Sequence, residues 1–315
     1  MTQRNDQPDI TAGCARLDDE IRWAQEELAS AGVASARADA EWLAAWVLDV
    51  SRGRLLMIDE LEGDDRVRFR EAVALRSRRI PLQHIVGRAA FGPVDLAVGP
   101  GVFIPRPETE YLLEWAVNQF NAGGGDPASP GPVIADLCSG SGALAIGLAA
   151  LLPEARVVAV EKSQDALIWL RRNIAEQPDD VADRITVVAA DVTDPVAMRA
   201  QCPSHAFDLV VSNPPYVPTS SQVSDEVRHD PHSAVFGGAD GMSVIIPMLD
   251  VIAEMLRTGG LVGIEHDDTT APLVVDALTT AGFDAVAAHT DLTGRPRFVT
   301  GRMRVWNGEH RIRLQ

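Results

Sequence analysis

The sequence predicts an α/β protein: a Rossmann-like, mostly parallel sheet, preceded by a small helical domain and a β-hairpin linker. Three observations carry this. Residues 11–80 show helical periodicity. Residues 84–104 are short, apolar and broken by Gly and Pro, as a hairpin is. After residue 131 apolar strands alternate with helical stretches, which requires helices over both faces of a parallel sheet. A length of 315 residues fits about two domains. The expected divisions are 1–80 helical, 81–106 linker, 107–303 catalytic and 304–315 tail.

"LDDEIRWAQEELASAGV" places Leu17, Ile21, Ala24 and Leu28 on one face, with Asp18 as the expected cap and Gly32 as the stop. "SARADAEWLAAWVLDVSR" follows behind a Ser35 cap, with Leu43, Trp46 and Val47 apolar. A third, arginine-rich helix is expected over 64–79. The tryptophans of this region are expected in the core and the arginines of 66–79 on a solvated face.

"IPRPETEYLLEWAVNQF" opens a helix, with Pro107 early and acids in the first turn. "NAGGGDPASPG", 121–131, is a flexible loop by composition. Strands are expected at 133–137, 156–161, 185–190, 207–212, 260–265 and 284–289. Ligands of such a sheet sit at the carboxyl ends of its strands.

With 46% apolar and 23% charged residues the chain reads as soluble and globular, with no apolar run long enough to span a bilayer and no signal peptide. Cys14, Cys138 and Cys202 lie far apart without metal-ligand spacing, so a reducing cytoplasm and no structural metal are expected. The net charge is −17, and Lys162 is the single lysine. Proteins that grip a nucleic-acid backbone carry a positive surface, so this balance argues against a DNA or RNA partner.

The first strand of the sheet runs into "ADLCSGSGALAIGLAALL". Asp136 ends the strand, Gly140 and Gly142 form a turn, and a helix starts at once, offering free N–H groups to a ligand. Glu161 ends the next strand nineteen residues after Gly142, where a carboxylate takes the hydroxyls of a ribose. Ala145 stands where a dinucleotide site carries its third glycine, so the turn suits the carboxypropyl arm of S-adenosylmethionine better than a pyrophosphate. "VVAAD" then sets Asp191 and the amide of Val192 beside an adenine edge.

The fourth strand, "FDLVVS", delivers "NPPY". Two prolines fix φ and bring no N–H to compete for nearby carbonyls. The Asn213 oxygen and the Pro214 carbonyl are expected to accept both hydrogens of a planar –NH2 group, with Pro215 fixing the turn and Tyr216 offering an aromatic face. Held so, the nitrogen lone pair points at a methyl donor. The pattern specifies a planar nitrogen and leaves open glutamine, adenine or guanine.

These stretches together resemble the glutamine-N5 methyltransferases that modify peptide chain release factors (PrmC/HemK). "PLQHIVGRAAFG" (81–92), "IPRPETE" (104–110), "DLCSGSG", "NPPYVP", "DPHSAVFGGADG" (230–241) and "GGLVGIEH" (259–266) match in order over about residues 11–300. NPPY is shared with DNA adenine methyltransferases; "PRPETE" with "GGADG" is more specific. The resemblance implies a class I S-adenosylmethionine-dependent methyltransferase fold. It assigns cofactor binding to Cys138, Ser139, Gly140, Ser141, Gly142 and Glu161, and the glutamine of a Gly-Gly-Gln loop to Asn213, Pro214, Pro215 and Tyr216. The N-terminal helices would contact the body of the release factor, a class 1 factor, in a monomeric cytoplasmic enzyme with no direct nucleic-acid contact.

Departures from the family pattern carry further expectations. Cys138 replaces a glycine, so its φ is expected to be negative or only mildly strained, and it reads as a small buried residue, not a nucleophile. Glu161 replaces a common aspartate, Val192 an aromatic and Asp267 a glycine, and His266 reads as structural. The competing readings are a nucleic-acid amino-methyltransferase, which requires a basic groove and a flipped base, and a cofactor-binding module without chemistry.

Overall fold

The computed structural model describes residues 15–121 and 131–304. Cys14, most of the loop 121–131 and the tail from 305 lie outside them. The chain divides into two compact units: one running up to Gly87 and including Ser224–His229, the other holding Arg88–Val223 and the chain from Asp230.

The first unit contains β1 (Ala15–Arg16), α1 (Leu17–Ser30), α2 (Ala36–Val47), β2 (Glu60–Leu61), α3 (Gly63–Ser77) and α4 (Leu82–Val86). Leu17, Ile21, Ala24 and Leu28 of α1 are buried against Leu43 and Ala44 of α2 and Phe69 and Val73 of α3. Each large side chain buried this way stabilises the unit by about 1.5–3 kcal/mol. Several local expectations are corrected. Asp18 sits inside α1 and pairs with Arg22 at 2.7 Å instead of capping it; the capping position is Arg16. Ser35 does precede α2, but its hydroxyl donates to Asp39 Oδ1 at 2.8 Å and accepts no N–H of the first turn.

Of the three tryptophans of this unit, Trp23 packs against the core cluster, whereas Trp42 and Trp46 do not. Trp42 and Trp46 are 49% and 39% exposed, and the guanidinium groups of Arg52 and Arg68 lie 5.4 and 5.9 Å from their ring centres. A cation held over an indole face compensates for leaving the ring near water. Conversely, α3 is not a purely solvated face. Arg66 and Arg70 both donate to the buried carboxylate of Glu20 at 2.9 Å. Arg76 is itself buried and donates to Asp39 at 2.7 Å. Glu226 completes this cluster, accepting from Arg79 at 2.7 Å and Arg76 at 3.1 Å. The Arg79 guanidinium, with Arg76, holds the Glu226 carboxyl down to about 2 against the effect of burial.

The second unit opens with β3 (Arg88–Phe91), β4 (Val94–Ala97) and α5 (Thr109–Asn121). The hairpin is shorter than 84–104 because α4, following Pro81 and stopped by Gly87 at φ +74°, takes its first residues. Phe91, Val94 and Leu96 of the hairpin are buried in one core cluster with Leu112, Ile134 and Leu148.

The sheet elements follow in order: β5 (Val133–Leu137), α6 (Ala143–Leu151), β6 (Arg156–Glu161), α7 (Gln164–Ala175), α8 (Asp179–Ala182), β7 (Ile185–Ala189), α9 (Pro195–Gln201) and β8 (Phe207–Ser212). Then come α10 (His232–Val235), α11 (Ile245–Met255), β9 (Leu256–Glu265), α12 (Ala271–Thr280), β10 (Phe283–Thr290) and β11 (Pro296–Met303). The strand order is β10-β11-β9-β8-β5-β6-β7. Strands β7, β6, β5, β8 and β9 pair in parallel, and β11 is inserted antiparallel between β9 and β10. The sequence pattern missed β11, whose apolar run is broken by Thr300 and Gly301. The order reverses between β5 and β8, so the crevice for a ligand opens at their carboxyl ends.

The ion-pair cluster of the first unit gives a graded expectation. Arg76→Ala leaves Asp39 buried without its guanidinium and costs about 3–5 kcal/mol, whereas Arg22→Ala, at an exposed pair, stays within about 0.5 kcal/mol; urea unfolding midpoints measure both. Because the Glu226 carboxyl is held below its ordinary 4.5, its contribution is complete above that value and disappears as pH falls through about 2. Acid titration of Glu226→Gln therefore lacks a stability loss that the parent chain shows in that interval.

Candidate active site

Strand β5 leaves the sheet through Cys138, Ser139, Gly140, Ser141 and Gly142 before α6 begins. Cys138 has φ +62°, correcting the expectation of a negative or only mildly strained angle: it occupies the left-handed region that a glycine would take without strain. A side chain there costs about 1–2 kcal/mol, which the surrounding bonds absorb. Ser139 N donates to Val160 O at 3.0 Å, and Gly142 N to Ser139 O at 2.8 Å. Gly142 sits at φ +90°, where a side chain is strained, and a Cβ there would lie 2.7 Å from Leu170 Cδ1, which would have to shift. Burial beside the Glu161 and Asp136 carboxyls pushes the Cys138 thiol far up, so it offers no thiolate.

Asp136 is buried at the base of this turn. Its Oδ2 accepts from Ala145 N at 3.1 Å, while its Oδ1 has no hydrogen-bond partner. Burial, with the Glu161 charge adding to it, pushes the carboxyl up to about 7 although Ser139 and Ala145 favour its charge. Glu161 is bound more heavily than its sequence position suggests. Its Oε1 accepts from the amides of Lys162 (2.8 Å) and Ser163 (2.7 Å), and its Oε2 from Gly140 (2.9 Å). A carboxylate has about four acceptor positions, so one on Oε2 is left for a ligand hydroxyl.

One pocket takes in Asp136, Cys138, Ser139, Gly140, Ser141, Glu161, Val192, Asn213 and Pro215, walled by Phe103, Thr109, Leu144, Ala190, Pro231 and Ala234. Gly142, Asp191, Pro214 and Tyr216 are not in its wall. Asp191 turns away: Oδ1 accepts from Thr193 N at 2.9 Å and Oγ1 at 2.7 Å, and Oδ2 faces Lys162 Nζ at 3.4 Å. Tyr216 directs its phenol to Glu265 Oε1 at 2.8 Å.

The end of β8 is fixed from three sides. Ser212 Oγ donates to Leu137 O at 2.7 Å, tying β8 to β5. Asn213 Nδ2 donates to Thr109 Oγ1 at 2.9 Å. Beyond Tyr216, Val217 pairs with Phe236, Val217 N donating to Val235 O at 3.0 Å and Gly237 N to Val217 O at 2.9 Å. Against this backbone the glycines of "GGADG" find their purpose. A Cβ on Gly237 would lie 2.5 Å from Pro215 O, and one on Gly241, at φ +80°, 2.2 Å from Tyr216 O. Arg106 of "PRPETE" forms an ion pair with the buried Asp230 of "DPHSAVF", which also accepts from Ile104 N at 3.3 Å. Sequence reasoning singled out these stretches but missed the roles of Thr109, Glu265, Gly237, Gly241 and the Arg106–Asp230 pair, because each is defined by a partner remote in sequence.

Glu265 ends β9 and is buried. Burial pushes its carboxyl up to about 7, against the Thr109 and Tyr216 hydroxyls, which favour its charge; Glu108 raises it further and Arg297 opposes. Desolvation and Glu265 together push the Tyr216 phenol well above its ordinary value. His266 is buried, with Nδ1 2.8 Å from Asp267 O. Among the described residues no group of three or more His, Cys, Asp or Glu could hold a metal ion.

Comparison with known proteins follows the same division. Residues 19–87 match the family described as PrmC N-terminal domain, and residues 127–230 the family described as Methyltransferase small domain. The release factor glutamine methyltransferase of Mycolicibacterium smegmatis is 52% identical over 90% of this chain and 97% of its own. That of Mycobacterium tuberculosis H37Rv is 47% identical over 87% of each chain, and that of Corynebacterium glutamicum 46% over 91% and 98%. With the parallel sheet, the glycine turn after β5 and NPPY after β8, these likenesses establish that the chain is a class I methyltransferase and belongs to the release factor glutamine methyltransferase family.

Proposed function

We propose that this chain transfers a methyl group from S-adenosylmethionine to the side-chain amide nitrogen, N5, of the glutamine in the Gly-Gly-Gln motif of class 1 peptide chain release factors. The observation that carries the reading is at Asn213. Its Nδ2 is committed to Thr109, so the end of the side chain left for the pocket is Oδ1, an acceptor suited to an amide N–H.

The pocket fits S-adenosylmethionine. The unpartnered Oδ1 of Asp136 is an acceptor for an ammonium group, the Gly140 turn leaves open space where a Cβ would stand, and Glu161 keeps an acceptor position for a ribose hydroxyl. Ala190, Val192 and Leu144 supply apolar walls for a purine. When bound, the cofactor supplies a methyl group on a sulfonium, an excellent leaving group. The chain contributes orientation and electrostatics. Asn213 Oδ1 takes one N–H of the glutamine amide and the Pro214 carbonyl the other. Holding both hydrogens in one plane fixes the direction of the nitrogen lone pair, and the two acceptors stabilise positive charge on nitrogen until a proton leaves to solvent.

The first unit docks the body of the release factor in this reading. This unit exposes Leu56 and Met57 at 93% and 83% and Trp42 and Trp46 at 49% and 39%, large apolar side chains available to a protein partner. The net charge of −17 supports a protein over a nucleic-acid substrate. No helix among the described residues is long and apolar enough to cross a membrane, in keeping with a cytoplasmic site of action.

Labelled methyl groups are expected on purified release factor and not on its Gln→Ala variant; label in DNA or RNA with none in release factor overturns the proposal. Asn213→Ala is expected to lower kcat by about 100-fold or more while the dissociation constant for S-adenosylmethionine, measured by calorimetry, changes less than about threefold.

Gly241→Ala tests the support behind NPPY. The added methyl meets Tyr216 O and requires positive φ, so displacement of Pro215 and Tyr216 is expected to cost about 100-fold in kcat. Ala239→Ser, two positions away and exposed, is the control and is expected to stay within about twofold, as surface substitutions do.

A further inference from the structure

The two ends of an asparagine side chain have the same shape, so hydrogen bonding alone decides which end faces the pocket. Asn213 meets Thr109 Oγ1 at 2.9 Å. A threonine hydroxyl both donates and accepts, so Thr109 by itself specifies neither orientation. The choice passes to whatever takes the Thr109 proton.

Glu265 is a buried acceptor with an oxygen to spare. Thr109 and Glu265 are 3% and 2% exposed, and the Thr109 hydroxyl stands beside the carboxyl and favours its charged form. Glu265 Oε1 accepts from Tyr216 at 2.8 Å, while Oε2 has no hydrogen-bond partner. The nearby cation, Arg297, is engaged elsewhere: its Nε is 2.7 Å from Asp291 Oδ2, and its Nη2 3.7 Å from Glu108. An unpartnered buried carboxylate oxygen is costly, and the Thr109 proton is the donor at hand.

We propose that Glu265 is a positioning residue: by accepting the Thr109 proton it obliges Asn213 to donate through Nδ2 and to keep Oδ1 turned to the substrate amide. The same carboxyl holds the phenol of Tyr216, so one buried acid sets both ends of NPPY. This rests on the reading of Asn213 as the holder of the glutamine amide. Glu265→Gln places an NH2 donor where an acceptor stood, which frees the Thr109 proton for Asn213 Oδ1 and turns the amide round. Thr109→Val removes the relay; Thr109→Ser keeps it.

The test uses the full chain labelled with ¹⁵N. The side-chain amide signal of Asn213, identified by its loss in Asn213→Ala, is expected to be protected from solvent exchange in the parent chain and in Thr109→Ser, and unprotected in Thr109→Val and Glu265→Gln. In methyl transfer to release factor the latter two are expected to lose about 30–100-fold in kcat, with KM and cofactor affinity within about threefold, and Thr109→Ser to stay near the parent. An Asn213 signal and kcat unchanged in Glu265→Gln and Thr109→Val overturn the assignment. So does a loss of cofactor affinity as large as the loss of kcat, which marks a merely structural role. If the parent chain leaves release factor unmethylated yet shows the protected signal and its loss in the variants, the proposed substrate fails and the positioning role of Glu265 stands.

Discussion

The hydrogen bond from Asn213 to Thr109, 2.9 Å long, joins the end of β8 to the first residue of α5, and much of the catalytic unit serves to keep those two points in register. Strand β8 cannot hold its own end by pairing onward, because Pro214 and Pro215 bring no N–H to a ladder. The position is supplied from outside the strand. Ser212 ties back to β5, Val217 is bridged to Phe236, and the glycines at 237 and 241 allow backbone to approach backbone where any Cβ would collide. On the opposite side, Arg106 and the buried Asp230 hold the segment that leads into α5. Two stretches separated by more than a hundred residues thus act on one asparagine.

The electrostatics of the site follow from burial more than from net charge. Asp136 and Glu265 are both buried carboxyls raised to about 7, and each has one oxygen without a partner. They differ in surroundings. Asp136 lies in the pocket wall, where a cationic ligand group would restore its charge. Glu265 lies outside that wall, among hydroxyls of the protein itself. The first unit handles its acids otherwise, enclosing Glu20, Asp39 and Glu226 with arginines. Guanidinium groups suit that task because their fixed fork of donors matches a carboxylate.

Much of this was legible in the sequence. The glycine turn after β5, the acid ending β6 and NPPY after β8 were readable because each is a local pattern tied to a strand end. What was not legible depended on partners distant along the chain. Trp42 and Trp46 look like core residues until Arg52 and Arg68 are placed over them. The arginines of α3 look like a wet face until Glu20 and Asp39 lie beneath them. Cys138 at positive φ could not be anticipated from its residue type, since the turn imposes that angle. Strand β11 was missed because an antiparallel strand containing Thr300 and Gly301 lacks the continuous apolar run of its parallel neighbours.

The motifs that identify the family outside NPPY acquire a physical meaning from this arrangement. In the proposed reading NPPY presents acceptors to a planar nitrogen, and chemistry of that kind serves a nucleobase as well as an amide. An amide, however, is a weak nucleophile whose lone pair must be aimed, and a displacement of about 1 Å costs about 100-fold in rate. "PRPETE" contributes Thr109 and Arg106, "GGLVGIEH" contributes Glu265, and "GGADG" closes the space behind Pro215 and Tyr216. None of Arg106, Glu265, Gly237 or Gly241 lies in the pocket wall. Their common effect is to remove freedom from Asn213, which does lie there, and an unreactive nitrogen demands that of the site that methylates it.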